Sequence, residues 1–197
     1  MTQPYVVTRP LVGVFVGGQA TRFAGERKGN LSLREGGTVL SRLIGECERA
    51  LPGVELVLVG ASHGYDALGL SSIADEPPGV GPLGGISALL RFARATGRPH
   101  ALAFACDMPY VEASLIERIA HAAPDALAVA PREGELWSAL AARYSVAALP
   151  ELEATLARGE RAVQRFLARL GPRAVELELE PGELQTLADW DSPEDVA

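Results

Sequence analysis

The chain alternates between short apolar runs and amphipathic stretches, a pattern typical of an α/β protein. Continuous or alternating apolar runs predict strands at 11–16, 54–59, 101–105, 126–130, 139–144 and 175–179. Apolar positions at helical spacing predict helices at 39–51, 86–95, 114–123, 150–157 and 161–170. A strand, a helix and a second strand in succession imply a right-handed parallel unit. We therefore expect a ligand at the carboxyl ends of the strands.

The first predicted strand leads into a segment of glycines and cations. Gly17 and Gly18 follow the apolar run, and Arg22 and Lys28 come next. Glycines let the backbone approach a ligand closely, and successive N–H groups in such a loop can surround a phosphate. Arg22 can bind two phosphate oxygens at once, whereas Lys28 acts as a point charge. The segment indicates a polyphosphate site, with a glycine turn and two solvated cations as the alternative.

A second glycine-rich segment, DEPPGVGPLGG, spans 75–85. Gly79, Gly81 and Gly84 match the G-x-G-x-x-G pattern of dinucleotide-binding proteins. No predicted strand runs directly into the match, and prolines surround it. A rigid turn before a helix explains the same residues.

Asp107 lies just beyond the apolar run at 101–105. A carboxylate so close to a buried strand is costly unless it is paired or binds a metal ion. Mg²⁺ is usually held by one or two carboxylates together with substrate phosphates. Asp107 is therefore a candidate Mg²⁺ ligand, with a role as a helix or turn cap as the alternative.

Composition narrows the function classes. The 197 residues carry a formal net charge of −7, which argues against general nucleic-acid binding. Cys47 and Cys106 are far apart and form no C-x-x-C motif, so neither a disulfide framework nor a zinc site is expected. No signal peptide and no apolar run of membrane-spanning length is evident. A single-domain cytoplasmic enzyme spanning 1–197, with no nucleic-acid or membrane partner, is the expectation.

The motifs together resemble those of the molybdenum cofactor guanylyltransferases, the MobA type of nucleotidyltransferase. GGQATRFAGERKG is similar to the family's L-x-G-G-x-x-x-R-M-G-x-x-K loop, with Phe23 in place of the usual Met. PGVGPLGG resembles the segment that follows a nucleotide-contacting Asp, and CDMP reproduces the family's C-D-x-P. DWDSPEDV follows the form D-x-D-T-P-E-D-L. Trp137 and Ser138 stand where the family usually has a His-Pro or Gln-Pro pair, a departure at the acceptor side.

The resemblance implies a three-layer α/β/α nucleotidyltransferase fold with a mostly parallel, Rossmann-like central sheet. The implied reaction is Mg²⁺-dependent transfer of GMP from GTP to molybdenum-bearing molybdopterin, giving the guanine dinucleotide cofactor and pyrophosphate. Other cofactor-biosynthesis or delivery proteins are implied as partners. The implied catalytic residues are Arg22, Lys28 and Asp107. The implied nucleotide-binding residues are Phe15, Val16, Gly17, Gly18, Lys28, Asp75, Gly81 and Asp107. Gly60 joins them because it follows the second predicted strand, at the edge where the ligand is expected. The implied metal ligands are Asp107, Asp189 and Asp191.

Two other functions remain open from the sequence. One is a sister nucleotidyltransferase that uses CTP or another phosphorylated acceptor, because Asp189 and Asp191 replace the Asn residues more frequent in the guanylyl form. The other is a nicotinamide-dependent oxidoreductase with a doubly wound fold, suggested by the G-x-G-x-x-G match. Against it, that match lies well into the chain and does not follow the first strand.

Overall fold

The computed structural model describes residues 9–17 and 27–190. Its strands are β1 (Leu11–Phe15), β2 (Glu55–Val59), β3 (Ser71–Ile73), β4 (His100–Ala105), β5 (Ala128–Ala130), β6 (Arg132–Glu133), β7 (Leu136–Trp137), β8 (Ala141–Ser145) and β9 (Ala174–Glu176). Its α-helices are α1 (Val39–Ala50), α2 (Pro82–Ala95), α3 (Ala113–His121), α4 (Leu149–Ala157), α5 (Val163–Leu170) and α6 (Glu183–Thr186). Short 3₁₀ turns cover Lys28–Asn30, Asp66–Leu68, Val146–Ala148 and Gly171–Arg173.

Seven of these strands form the central sheet, in the order β3-β2-β1-β4-β8-β5-β9. β1 lies between β2 and β4 and is parallel to both. β8 alone runs antiparallel to its neighbours β4 and β5. The mostly parallel sheet predicted from the sequence is confirmed.

Two apolar clusters cover the two faces of the sheet. Leu11 and Phe15 of β1 point into the cluster formed with α2, α4 and α5. Val12 and Val14 point into the opposite cluster, formed with α1 and α3. β1 is buried on both faces, which explains its continuous apolar sequence. The helices on both sides confirm the predicted three-layer architecture.

α1 begins where the sequence predicts. The Thr38 hydroxyl accepts a hydrogen bond from the Ser41 N–H at 3.1 Å. In return, the Ser41 hydroxyl accepts one from the Thr38 N–H at 2.8 Å. This reciprocal pair satisfies N–H groups that the first helical turn leaves without partners.

The expectation that the next helix begins at 86 is wrong, because α2 begins at Pro82. Proline fits the first turn of a helix, where its missing N–H costs nothing. Gly84 lies within α2, and a glycine is required there because a Cβ would lie 2.5 Å from the Pro77 carbonyl oxygen. β3 and the β6–β7 hairpin were not predicted, and the strand expected at 175–179 ends at Glu176.

Among the described residues, no helix combines the length and apolar character needed to cross a membrane.

Gly13→Ala is expected to lower the free energy of unfolding by roughly 1–3 kcal/mol, the usual cost of overpacking a core. A Cβ at Gly13 would lie 2.7 Å from Leu89 Cδ2 and 2.9 Å from Val59 Cγ2. Urea denaturation measures the change. Gly45→Ala is the matched control, because its Cβ would have only an ordinary contact with Arg49 at 3.6 Å. That control is expected to gain about 0.5–1 kcal/mol from helix propensity. A Gly13→Ala protein as stable as the wild type would contradict this packing.

Candidate functional site

The carboxyl ends of β1, β2 and β4 meet at one edge of the sheet. The Cys106 N–H donates to the Phe15 carbonyl at 3.1 Å, and the Val16 N–H donates to the Val59 carbonyl at 3.0 Å. These bonds extend the strand pairing by one residue on each side of β1. Gly17, Gly60 and the residues after β4 therefore lie at the same edge, where open α/β sheets bind ligands.

Lys28 and Asp107 meet at this edge. The Lys28 ammonium lies 2.8 Å from Asp107 Oδ2, although 79 positions separate the two residues in sequence. Their side chains are 23% and 14% exposed, so each charge has lost much of its hydration. The structure thus brings together a cation and a carboxylate that the sequence predicts to share a polyphosphate.

The turn that carries Lys28 is held against the loop after β2. The Arg27 guanidinium lies 5.6 Å from the centre of the Tyr65 ring and donates to the Ala61 carbonyl at 3.4 Å. Gly29 packs on Tyr65, since a Cβ at Gly29 would lie 2.9 Å from the phenolic oxygen. Sequence reasoning missed Arg27 and Tyr65, because no motif connects them before the two loops fold together.

Glycines form the surface beside the ion pair. A Cβ at Gly60 would lie 3.2 Å from the Gly17 Cα and 3.6 Å from Asp75 Oδ1. Gly60 also has a φ of +98°, which favours glycine. A Cβ at Gly85 would lie 2.5 Å from the Phe15 ring and 3.1 Å from Asp75 Oδ1. These contacts place four predicted nucleotide-binding residues, Phe15, Gly17, Gly60 and Asp75, in one region.

Asp75 lies at the margin of this region, and burial raises the pKa of its carboxyl group. Gly81 precedes the first residue of α2 with a φ of +70°. The Gly84 N–H donates to the Gly81 carbonyl at 3.0 Å, and the Gly84 carbonyl accepts from the Glu76 N–H at 3.2 Å. The glycine-rich turn is therefore tied to the residue next to Asp75.

Asp189 precedes a residue whose backbone contacts the Asp107 segment. The Trp190 N–H donates to the Asp107 carbonyl at 2.9 Å. The two described carboxylates predicted to bind metal are thus on adjoining segments. Gly18, Arg22 and Asp191, the other predicted site residues, lie outside the described residues.

The described residues contain no group of three or more His, Cys, Asp or Glu side chains arranged to hold a metal ion. Burial, and to a lesser extent the charge of the neighbouring Asp107, raise the pKa of the Cys106 thiol to about 12. Cys106 is therefore protonated near neutral pH and serves in packing, not as a nucleophile.

The unusual Trp137-Ser138 pair lies at the end of the β6–β7 hairpin. The Gln164 amide bonds both backbone groups of Trp137, accepting from its N–H at 2.9 Å and donating to its carbonyl at 2.8 Å. The Arg132 guanidinium lies 4.8 Å from the centre of the indole. The pair is thus part of a hairpin that leads into β8, and the Ala105 N–H at the carboxyl end of β4 donates to the Leu140 carbonyl just before β8 at 3.0 Å.

Comparison with known proteins identifies the family. The model of the family described as "MobA-like NTP transferase domain" matches residues 12–174. The chain belongs to this family. It is therefore an enzyme of the nucleotidyltransferase type, and MobA-like nucleotidyltransferases generally use a divalent metal ion. Membership of this family argues against the alternative function as a nicotinamide-dependent oxidoreductase, which the G-x-G-x-x-G match suggested.

Curated relatives extend the match over most of the chain. A "Probable molybdenum cofactor guanylyltransferase" from Opitutus terrae is 32% identical over 189 residues, covering 94% of this chain and 92% of that protein. A "Molybdenum cofactor guanylyltransferase" from Cereibacter sphaeroides is 34% identical over 187 residues, covering 93% and 92%. The structure of molybdopterin-guanine dinucleotide biosynthesis protein A from Archaeoglobus fulgidus aligns with a TM-score of 0.74 and 25% identity, covering 94% of each chain. The MobA-like fold thus extends beyond the residues that the family model matches.

The Lys28–Asp107 pair is expected to show a coupling energy of roughly 0.5–3 kcal/mol in a double-mutant cycle of Lys28→Met and Asp107→Asn. The free energies of unfolding of the four proteins come from urea denaturation. The control cycle uses Arg158→Met and Glu151→Gln, since that pair is 2.7 Å apart but 42% and 35% exposed. The coupling energy of this control pair is expected to stay below about 1 kcal/mol. If the coupling energy of Lys28 and Asp107 were no larger than that of Arg158 and Glu151, the Lys28–Asp107 pair would not be partly desolvated.

Proposed function

We propose that the protein catalyses Mg²⁺-dependent transfer of GMP from GTP to molybdenum-bearing molybdopterin. The products are the guanine dinucleotide form of the cofactor and pyrophosphate. Family membership, the printed names of the curated relatives and the matched length support this proposal. We further propose that the enzyme works in the cytoplasm and passes its product to delivery proteins.

The observation that carries the proposal is the 2.8 Å contact between Lys28 and Asp107. A triphosphate with its cation can replace both halves of this pair. Phosphate oxygens would take the place of the carboxylate at Lys28, and the cation would take the place of the ammonium at Asp107. In this proposal the Lys28 ammonium and the Asp107 carboxylate lie close to their positions in the complex before the nucleotide and the cation bind, so binding requires little rearrangement.

The glycine surface suits a purine nucleotide next to that pair. Gly17 and Gly60 carry no side chain, so the base can lie against their backbone and that of Phe15 and Val16. Backbone N–H and carbonyl groups at these strand ends would read the edge of the guanine. Asp75 lies beside them, where its carboxyl group is available to donors of the nucleotide.

The carboxylates present fit Mg²⁺ in the manner common for nucleotide sites, which uses one or two carboxylates and the substrate phosphates. Asp107 would hold the ion, with Asp189 or Asp191 as the second protein ligand. Bound there, Mg²⁺ supplies charge neutralisation and polarises the phosphate oxygens.

The chain's own contribution to the reaction is position and charge. A phosphate oxygen of molybdopterin forms a bond to the α-phosphorus of GTP. The bond from that phosphorus to the oxygen bridging the α- and β-phosphates breaks, and pyrophosphate leaves with the bonding electrons. Lys28 and Arg22 neutralise the charge that builds up on the leaving group. No side-chain nucleophile is required for such a transfer.

The direct test is to incubate the protein with Mg²⁺, GTP and molybdenum-loaded molybdopterin and to measure pyrophosphate and the guanine dinucleotide. Equal amounts of both products are expected, with none when EDTA replaces Mg²⁺. CTP in place of GTP tests the sister activity and is expected to react more slowly. Faster reaction with CTP, or dinucleotide formation without pyrophosphate release, would overturn the proposal.

Lys28→Ala and Asp107→Ala are each expected to lower kcat/KM by about 100- to 1000-fold, the usual effect of removing one preorganised charged contact to a transition state. The fold should remain intact, which circular dichroism and thermal unfolding check. Arg94→Ala is the control cation, because Arg94 lies exposed in the last turn of α2. Full activity in either site variant would remove that residue from the mechanism.

A further inference from the structure

Trp190 is a buried aromatic residue on a segment rich in acidic residues. Its side chain is 4% exposed. It forms a small apolar cluster with Leu31 and Val39, separate from the two clusters that cover the sheet. Its ring also meets the Tyr110 ring edge to face, with centroids 6.2 Å apart. Trp190 thus packs on both the segment after Lys28 and the segment after Asp107.

Backbone hydrogen bonds connect these contacts to the charged pair. The Leu31 N–H donates to the Lys28 carbonyl at 3.2 Å, and the Val39 N–H donates to the Leu31 carbonyl at 3.0 Å. On the other side, the Trp190 N–H donates directly to the Asp107 carbonyl at 2.9 Å. A movement of Trp190 would therefore displace both Lys28 and Asp107.

We propose that Trp190 is a positioning residue for the transfer reaction. Its ring holds the Lys28 turn through Leu31, and its backbone holds the Asp107 loop. The same backbone bond joins the segment that carries Asp189 to the Asp107 loop. This inference rests on the proposed function, because it assigns the three charged residues to one polyphosphate and its metal ion.

The part of Trp190 that matters is its apolar ring. The indole Nε1 is buried and has no hydrogen-bond partner among the described residues. Phenylalanine and alanine both keep the backbone N–H, but only phenylalanine keeps an aromatic ring, so Trp190→Phe should retain most of the positioning. Trp190→Ala removes the contacts with Leu31, Val39 and Tyr110, so this variant should lose the positioning effect.

The control for general destabilisation is Leu170→Ala. Leu170 is 3% exposed and belongs to the apolar cluster on the opposite face of the sheet. Assays are run below the melting temperature of the least stable variant, so that all three proteins are folded. GTP affinity is measured by calorimetry in EDTA, where only the nucleotide and the protein contribute.

Trp190→Ala is expected to lower kcat by about 100-fold, the scale of effect that a misplacement near 1 Å produces. GTP affinity in EDTA should fall by much less than kcat, because Gly17 and Gly60, which follow β1 and β2 and which Trp190 does not hold, keep their place beside the base while only the Lys28 contact is weakened. Trp190→Phe should recover most of kcat, and Leu170→Ala should stay near the wild type. Amide hydrogen exchange should become faster at 28–31 and 106–110 in Trp190→Ala, but not in Leu170→Ala.

Equal kcat in Trp190→Ala and Leu170→Ala, or unchanged exchange at either segment, would overturn the positioning role. A wild-type protein without transfer activity would instead overturn the proposed function. In that case the exchange measurement still decides whether Trp190 holds the two segments, because it does not depend on turnover.

Discussion

The ion pair between Lys28 and Asp107 is the interaction on which the rest of the site depends. A carboxylate at the end of a buried strand loses hydration, and an ammonium group at 2.8 Å compensates for that loss. The pair can form only because β1 and β4 are neighbours in the sheet and end at the same edge. The fold therefore produces a partly buried charge pair whose members can separate, so that Lys28 can contact an anion and Asp107 a cation. This matches the needs of the proposed reaction, since MobA-like nucleotidyltransferases act on a nucleoside triphosphate and generally use a divalent metal ion.

A second constraint is the absence of side chains beside the pair. Gly17 and Gly60 approach so closely that a Cβ at Gly60 would lie 3.2 Å from the Gly17 backbone. Gly85 brings Phe15 and Asp75 together for the same reason. In this acidic chain, with a net charge of −7, Lys28 thus lies next to a surface formed by backbone groups. In the proposed function, base selectivity rests on backbone groups whose positions the sheet fixes, with the Asp75 carboxyl group beside them.

The sequence predicts the α/β architecture well because the buried strands and amphipathic helices follow clear periodicities. The sequence pattern places the beginning of α2 four residues late, because Pro82 and the glycines that follow it are typical of turns. The close packing of Gly84 on Pro77 is a tertiary contact that the local sequence does not indicate. β3 was missed because Ser71–Ile73 is short and mostly exposed. At the site, motifs identify Lys28 and Asp107 individually. Their contact depends on tertiary structure, and the part played by Trp190 has no local sequence signal.

The most direct measurement is a crystal structure of the protein with Mg²⁺ and a non-hydrolysable GTP analogue. In that complex we expect Lys28 to leave Asp107 and contact the phosphates, and Asp107 to contact the metal ion. We also expect the guanine to lie against Gly17 and Gly60. A nucleotide bound elsewhere, with the Lys28–Asp107 contact unchanged, would show that this pair is not the polyphosphate site.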